Sequence, residues 1–139
     1  MEKEFVSYEL ALKLKELGFG EKCLAFSYIK SEFSYTANKV YLIDYLDEAS
    51  IVRNTNKDYY YARPLWQQAF DWFREKYKLH GWVVPYFTLV GINYSYLIMD
   101  ENMRNLEDEV DVGTYQEARK ACLEKLIEIV ENDENFKVK

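Results

Sequence analysis

Between Arg63 and Trp82 the sequence reads RPLWQQAFDWFREKYKLHGW, and this stretch limits the fold more than any other. It holds all three tryptophans and the single histidine of the chain. Trp66, Ala69, Phe70, Phe73 and Tyr77 recur at helical spacing, with Gln67, Asp71, Arg74 and Lys78 elsewhere on the wheel. The pattern predicts an amphipathic helix. Pro64 suits its first position, because the ring presets φ and the missing N–H has no partner there in any case. Lys76 and Lys78 complement the C-terminal end of the helix dipole, and Gly81 is expected to mark the exit. An aromatic stripe of that bulk needs a broad apolar surface to cover it. Trp66, Phe70 and Phe73 are therefore expected to pin the helix to a sheet. Trp72, to the side of the stripe, and His80 with Trp82 at its exit form a candidate binding rim.

The remaining segments supply that sheet. Residues 7–19 read as a helix with Ser7 as N-cap, Glu9 in the first turn, and Leu10, Leu14 and Leu17 on one face. Gly18 is expected to take the left-handed turn that ends it, folding Phe19 back onto Leu14. CLAFSYI (23–29) and KVYLIDY (39–45) read as paired antiparallel strands. Residues 46–62 read as a long loop with a short edge strand at 50–53 or 59–62. WVVPYFTLV and NYSYLIMD form a second strand pair, with Pro85 confined to an edge or bulge because it lacks a ladder donor. The acidic stretch 100–113 reads as a loop. Thr114 and Glu117 make a capping box that opens a helix over 115–131, with Ala118, Cys122, Leu126 and Ile129 on its face and Leu123 and Val130 beside them. The expected fold is a single α+β domain in the order α-β-β-α-β-β-α, a mostly antiparallel four-stranded sheet with helices packed on one face.

A chain of 139 residues fits one domain. Its net charge of −6 lowers the prospect of binding nucleic acid or an anionic membrane, both of which call for a basic face. The N-terminus is charged at once, and no apolar run approaches the roughly 20 residues of a membrane span. A cytoplasmic location without membrane contact is expected. Cys23 and Cys122 each sit on an apolar face and read as reduced core thiols. One histidine and no Cys-x-x-Cys leave no zinc ligand set. In the acidic loop, Asp100, Asn102, Arg104, Asn105 and Asp111 fall at calcium-loop positions, but the arginine and the absent glycine break that geometry. No phosphate-binding glycine loop or nucleophile elbow is present, so no metal or cofactor is expected. His80 is the natural candidate for acid–base work in an enzyme reading, yet a histidine at a helix C-terminus also complements the dipole. No spacing assigns it a partner.

The 13 tyrosines carry the remaining functional signal. Tyr41 and Tyr45 share one strand face, and Tyr94 and Tyr96 share another. If Leu42 and Leu97 face the helices, the four tyrosines line the open face of the sheet. Such a surface suits a protein partner or a homodimer, or the stacking of single-stranded bases; equally, the rings can line a two-sided core. The acidic balance favours protein over nucleic acid. The chain thus reads as a protein-binding module rather than an enzyme.

Three blocks, EFVSYELALKLKELGF (4–19), RPLWQQAFDWFREKYKLH (63–80) and TYQEARKACLEKLIEIV (114–130), resemble small bacteriophage or prophage proteins of gut bacteria that carry no assigned function. Arg63 departs from that pattern, where a small residue usually precedes the proline, and Gly20–Lys22 replace a more usual Asp-Glu-Pro run. The resemblance implies a phage-type origin and supplies no site residues.

Overall fold

A computed structural model describes residues 2–28, 41–42, 60–133 and 136. Among these the chain is α+β, with three α-helices and six strands in the order α-β-β-β-α-β-β-β-α. The four expected strands are present and antiparallel, and each pair gains a third. Hydrogen bonding groups the six as two three-stranded antiparallel sheets. Packing divides the chain into two compact units, Met1–Ala69 and Phe70–Lys139.

The first unit contains α1 (Tyr8–Glu16), β1 (Ala25–Tyr28), β2 (Tyr41–Leu42) and β3 (Tyr60–Ala62), with β1 central in the order β2-β1-β3. The third strand, β3, is the short strand expected at 59–62; residues 43–59 lie outside the described set. Helix α1 ends as its sequence dictates. Gly18 adopts φ 92°, its N–H bonds Lys15 O at 3.0 Å, and Phe19 N–H bonds Leu14 O at 2.9 Å. That pair of bonds satisfies two orphan carbonyls and buries Phe19 with Leu10, Ala11 and Leu14. Ser7 holds the N-cap position in extended conformation, but its hydroxyl makes no capping bond. Pro64 precedes the next helix instead of opening it. Its carbonyl accepts Val6 N–H at 2.8 Å and Leu65 bridges to Phe5, so this segment is committed to the N-terminal strand-like stretch. Arg63 is buried here, donating from Nε to Val6 O (2.7 Å) and from Nη1 to Ser27 Oγ (2.9 Å). A guanidinium can be buried only where its donors are used, and Arg63 thereby ties β1 to the N-terminal segment.

Helix α2 (Trp66–Tyr77) leads into β4 (His80–Thr88), β5 (Gly91–Met99), β6 (Asn105–Gly113) and α3 (Tyr115–Asn132). The exit from α2 is made by Lys78 at φ 58°, with Leu79 N–H reaching Phe73 O at 3.3 Å. Gly81 has a different task. It lies within β4, and a Cβ there would stand 2.9 Å from Cys122 Sγ, 3.1 Å from Leu126 and 3.3 Å from Phe70. The glycine thus lets α3 settle directly on the sheet. Helix α3 buries Ala118, Cys122, Leu126 and Val130 at four-residue spacing, with Leu123 and Ile127 beside them; Ile129 is only half-buried. Its cap forms as expected, Thr114 Oγ accepting Glu117 N–H at 3.2 Å. The Thr114 hydroxyl also donates to Glu117 Oε1 at 3.1 Å, and Gly113 at φ 129° leaves room for that carboxylate.

The acidic stretch expected to be a loop is mostly β6, an edge strand paired with β5. Only Asp100–Arg104 forms a turn, in which Asp100 accepts Asn102 N–H (2.9 Å), Arg104 N–H (3.0 Å) and the Arg104 guanidinium (2.7 Å). Charged side chains are compatible with an edge strand, where they deter pairing with another chain. Glu107 even turns toward α3, 3.7 Å from Lys125. Residues 110–112 stand opposite Ser95 alone, a bulge with Asp111 in the left-handed region at φ 64°. Substituting Gly81 by Ala should overpack this contact and destabilise the protein by about 1–3 kcal/mol in urea unfolding. Gly20→Ala, whose nearest Cβ contact is 3.8 Å away, should be near neutral and serves as the control.

Candidate functional site

The four tyrosines do not come together as one exposed row. Tyr45 and the side chain of Tyr41 lie outside the described residues. In β5 the parity is the reverse of the condition on which that row depended. Ile98 pairs with Gly81 and Tyr96 with Val83, so Tyr94, Tyr96 and Ile98 share the face on which α3 packs. Tyr96 is buried at 6 % exposure, while Leu97 points away from the helix. Tyr94 is half-buried and meets Tyr115, the first residue of α3, edge to face at 5.6 Å.

The rim residues separate as well. Trp72 is buried, contacting Phe73 (5.1 Å) and Tyr77 (5.3 Å) edge to face with the Lys76 ammonium over its ring. It belongs to the core rather than to a rim. His80 opens β4 half-buried, its ring stacked on Trp82 at 5.8 Å. Trp82 is exposed on the sheet face away from α3. Asp71, one of the acids nearest His80 in sequence, pairs with Arg74.

Among the described residues, the largest exposed apolar feature lies at the β4–β5 hairpin, which the sequence pattern alone did not single out. Thr88 pairs with Gly91, leaving Leu89 and Val90 as the two turn residues. Phe87 is 84 % exposed, Leu89 106 %, Val90 98 % and Ile92 53 %; Val84 and Trp82, also exposed, lie on the opposite face of the hairpin from Phe87 and Ile92. The turn is pinned by its own threonine, which donates to Gly91 O at 2.9 Å and accepts Val90 N–H at 3.3 Å. Behind the tip stands a polar collar. Tyr86 pairs with Asn93 across the hairpin, and Asn93 donates to Asp111 at the bulge of β6. The Tyr86 phenol pKa is raised, first by desolvation and then by the neighbouring Asp111 carboxylate. One sequence signal marks this region: residues 81–99 contain no charged side chain in a chain that is 30% charged. Turns ordinarily carry Gly, Asn, Asp, Ser or Pro. Leucine and valine there do nothing for the folded monomer.

Other concave surfaces are less distinctive. A shallow groove between β6 and α3 is lined by Glu107, Glu128, Ile129 and Asp133, with Lys125 between Glu107 (3.7 Å) and Glu128 (3.1 Å). Those carboxylates hold the lysine pKa above its ordinary value. Both cysteines are free and buried. Burial, with a smaller contribution from Glu21, pushes the Cys23 thiol up to about 12. Burial likewise pushes Cys122 up to about 12, against a hydrogen bond from the Trp82 backbone that lowers it. No group of three or more His, Cys, Asp or Glu side chains among the described residues is placed to hold a metal ion. No helix among them is long and apolar enough to cross a membrane. Compared with known protein families, curated proteins and solved structures, the chain matches none.

Tyr96→Ser should therefore cost roughly 3 kcal/mol of stability in chemical denaturation, whereas Trp82→Ser should change it little. Both thiols should resist a thiol reagent in the native protein and react once it is unfolded. Because both folded pKa values lie above the ordinary 9.0, this contribution to stability is complete below about pH 9 and is lost as pH rises toward about 12. Denaturation midpoints measured across that range should fall.

Proposed function

We propose that this chain is a non-enzymatic accessory module of phage or prophage origin that binds protein in the host cell interior, using the β4–β5 hairpin as its contact element. The observation that carries the reading is the exposed apolar tip, Phe87, Leu89, Val90 and Ile92, held in shape by Thr88. Monomeric proteins seldom leave so much contiguous apolar surface in water, and larger patches rimmed by polar groups mark binding sites. Tyr86, Asn93 and Asp111 place polar groups on the face of the hairpin opposite Phe87 and Ile92. A preformed tip also loses little conformational entropy on docking. The phage origin rests on the resemblance of residues 4–19, 63–80 and 114–130. Nucleic acid fits the surface less well, since residues 81–99 offer no cation for a phosphate.

Leu89→Asp/Val90→Asp changes two fully exposed residues and should leave the fold intact. Wild type and this variant should be compared as baits in extract from an infected or lysogenic host. A defined protein retained by wild type and lost by the variant is the expected result. The same proteins on both baits would refute the reading.

A further inference from the structure

We infer that the surface at the β4–β5 hairpin docks a second copy of this chain, so that two hairpins pack their apolar residues on each other. This rests on the protein-binding reading above and names the partner. Three observations carry it. The first is area. Taking on the order of 150 Å² for a large apolar side chain when fully exposed, the surface offered by Phe87, Leu89, Val90 and Ile92 is on the order of 500 Å². Two such patches together bury about the 1,000 Å² that a specific interface should clear, and each lies in the upper part of the range for the largest patch on a typical monomer.

The second is charge. Each copy carries −6, yet residues 81–99 contain no charged side chain. Two such surfaces can meet without burying an ion, and the like charges elsewhere stay in water, where salt screens them. A partner chosen by charge complementarity would find nothing here to recognise. A bilayer is poorly served too, since the tip has none of the lysines or arginines that hold peripheral proteins to anionic headgroups.

The third is symmetry of chemistry. In a two-fold contact the same patch faces itself, so apolar core meets apolar core and polar rim meets polar rim by identity. The apolar tip is arranged in that way: Leu89 and Val90 project at the turn, with Phe87 and Ile92 paired behind them on one face. The rigid Thr88 turn presents the same shape in each copy.

The test is sedimentation velocity over a concentration series for wild type and Leu89→Asp/Val90→Asp, with circular dichroism melts of both and flotation of each on phosphatidylcholine vesicles. Wild type should convert from monomer to dimer with concentration. The variant should weaken self-association by more than about a hundredfold, since two carboxylates from each copy would enter the interface, with an unchanged melt and no flotation of either protein. A wild type that stays monomeric throughout would overturn the inference, as would a dimer that survives the double substitution. So would a monomer that floats on the vesicles through its tip. A monomeric wild type that still retains a host protein in a tip-dependent way would sink the homodimer and leave the protein-binding reading standing. A tip-independent dimer with no tip-dependent host protein would sink both.

Discussion

The close approach of α3 to Gly81 sets the geometry of the second unit. Because no Cβ intervenes, Cys122 and Leu126 lie against the strand itself, and the residues paired along that face, Ile98 and Tyr96, become core. The helix then begins where Tyr115 meets Tyr94. Strand residues nearer the turn, Ile92 and Phe87, lie at the end of the hairpin away from the Gly81 contact and remain exposed. The bare tip is thus a consequence of where the helix sits and how long the strands are. A hairpin shorter by two pairs would lack Phe87 and Ile92 and with them the uncovered end of the face on which α3 packs.

Two helix ends were plainly legible in the sequence. Gly18 and Phe19 at one terminus, and Thr114 with Glu117 at another, act through local backbone bonds that depend on their immediate neighbours alone. The strand pairs were legible for a similar reason, since β-branched and aromatic runs bounded by polar segments have few alternatives. Gly81 was misread as a helix stop because glycine serves both for positive φ and for close packing, and only the position of α3 distinguishes them.

The site was harder to read, because its argument turned on parity. Alternation in NYSYLIMD shows that Tyr96 and Leu97 face opposite ways, but not which of them meets the helix. A hydrophobicity argument sends leucine inward, yet Tyr96 lies beneath α3 and Leu97 on the other face. The stripe through Trp66, Phe70 and Phe73 leaves Trp72 to one side, but three-residue steps from Trp66 through Ala69 bring it into the buried face. The acidic residues of β6 suggested a loop because an edge strand and a solvated loop share a composition. The tip could have been found from the absence of charge over residues 81–99 and from Leu89-Val90 at a turn, two departures from local rules that the monomer does not need.

The edges of the second sheet bear on what any association can become. In the order β4-β5-β6, one outer strand carries Pro85, which has no N–H to donate, and the other carries Glu107, Asp108 and Asp111 with a bulge that breaks its pleat. A further strand would find neither a continuous ladder nor an uncharged border. Copies that meet through the hairpin have a single tip each to use. Growth stops once two tips are joined, and the sheet that exposes apolar side chains is shielded from extending into a fibre.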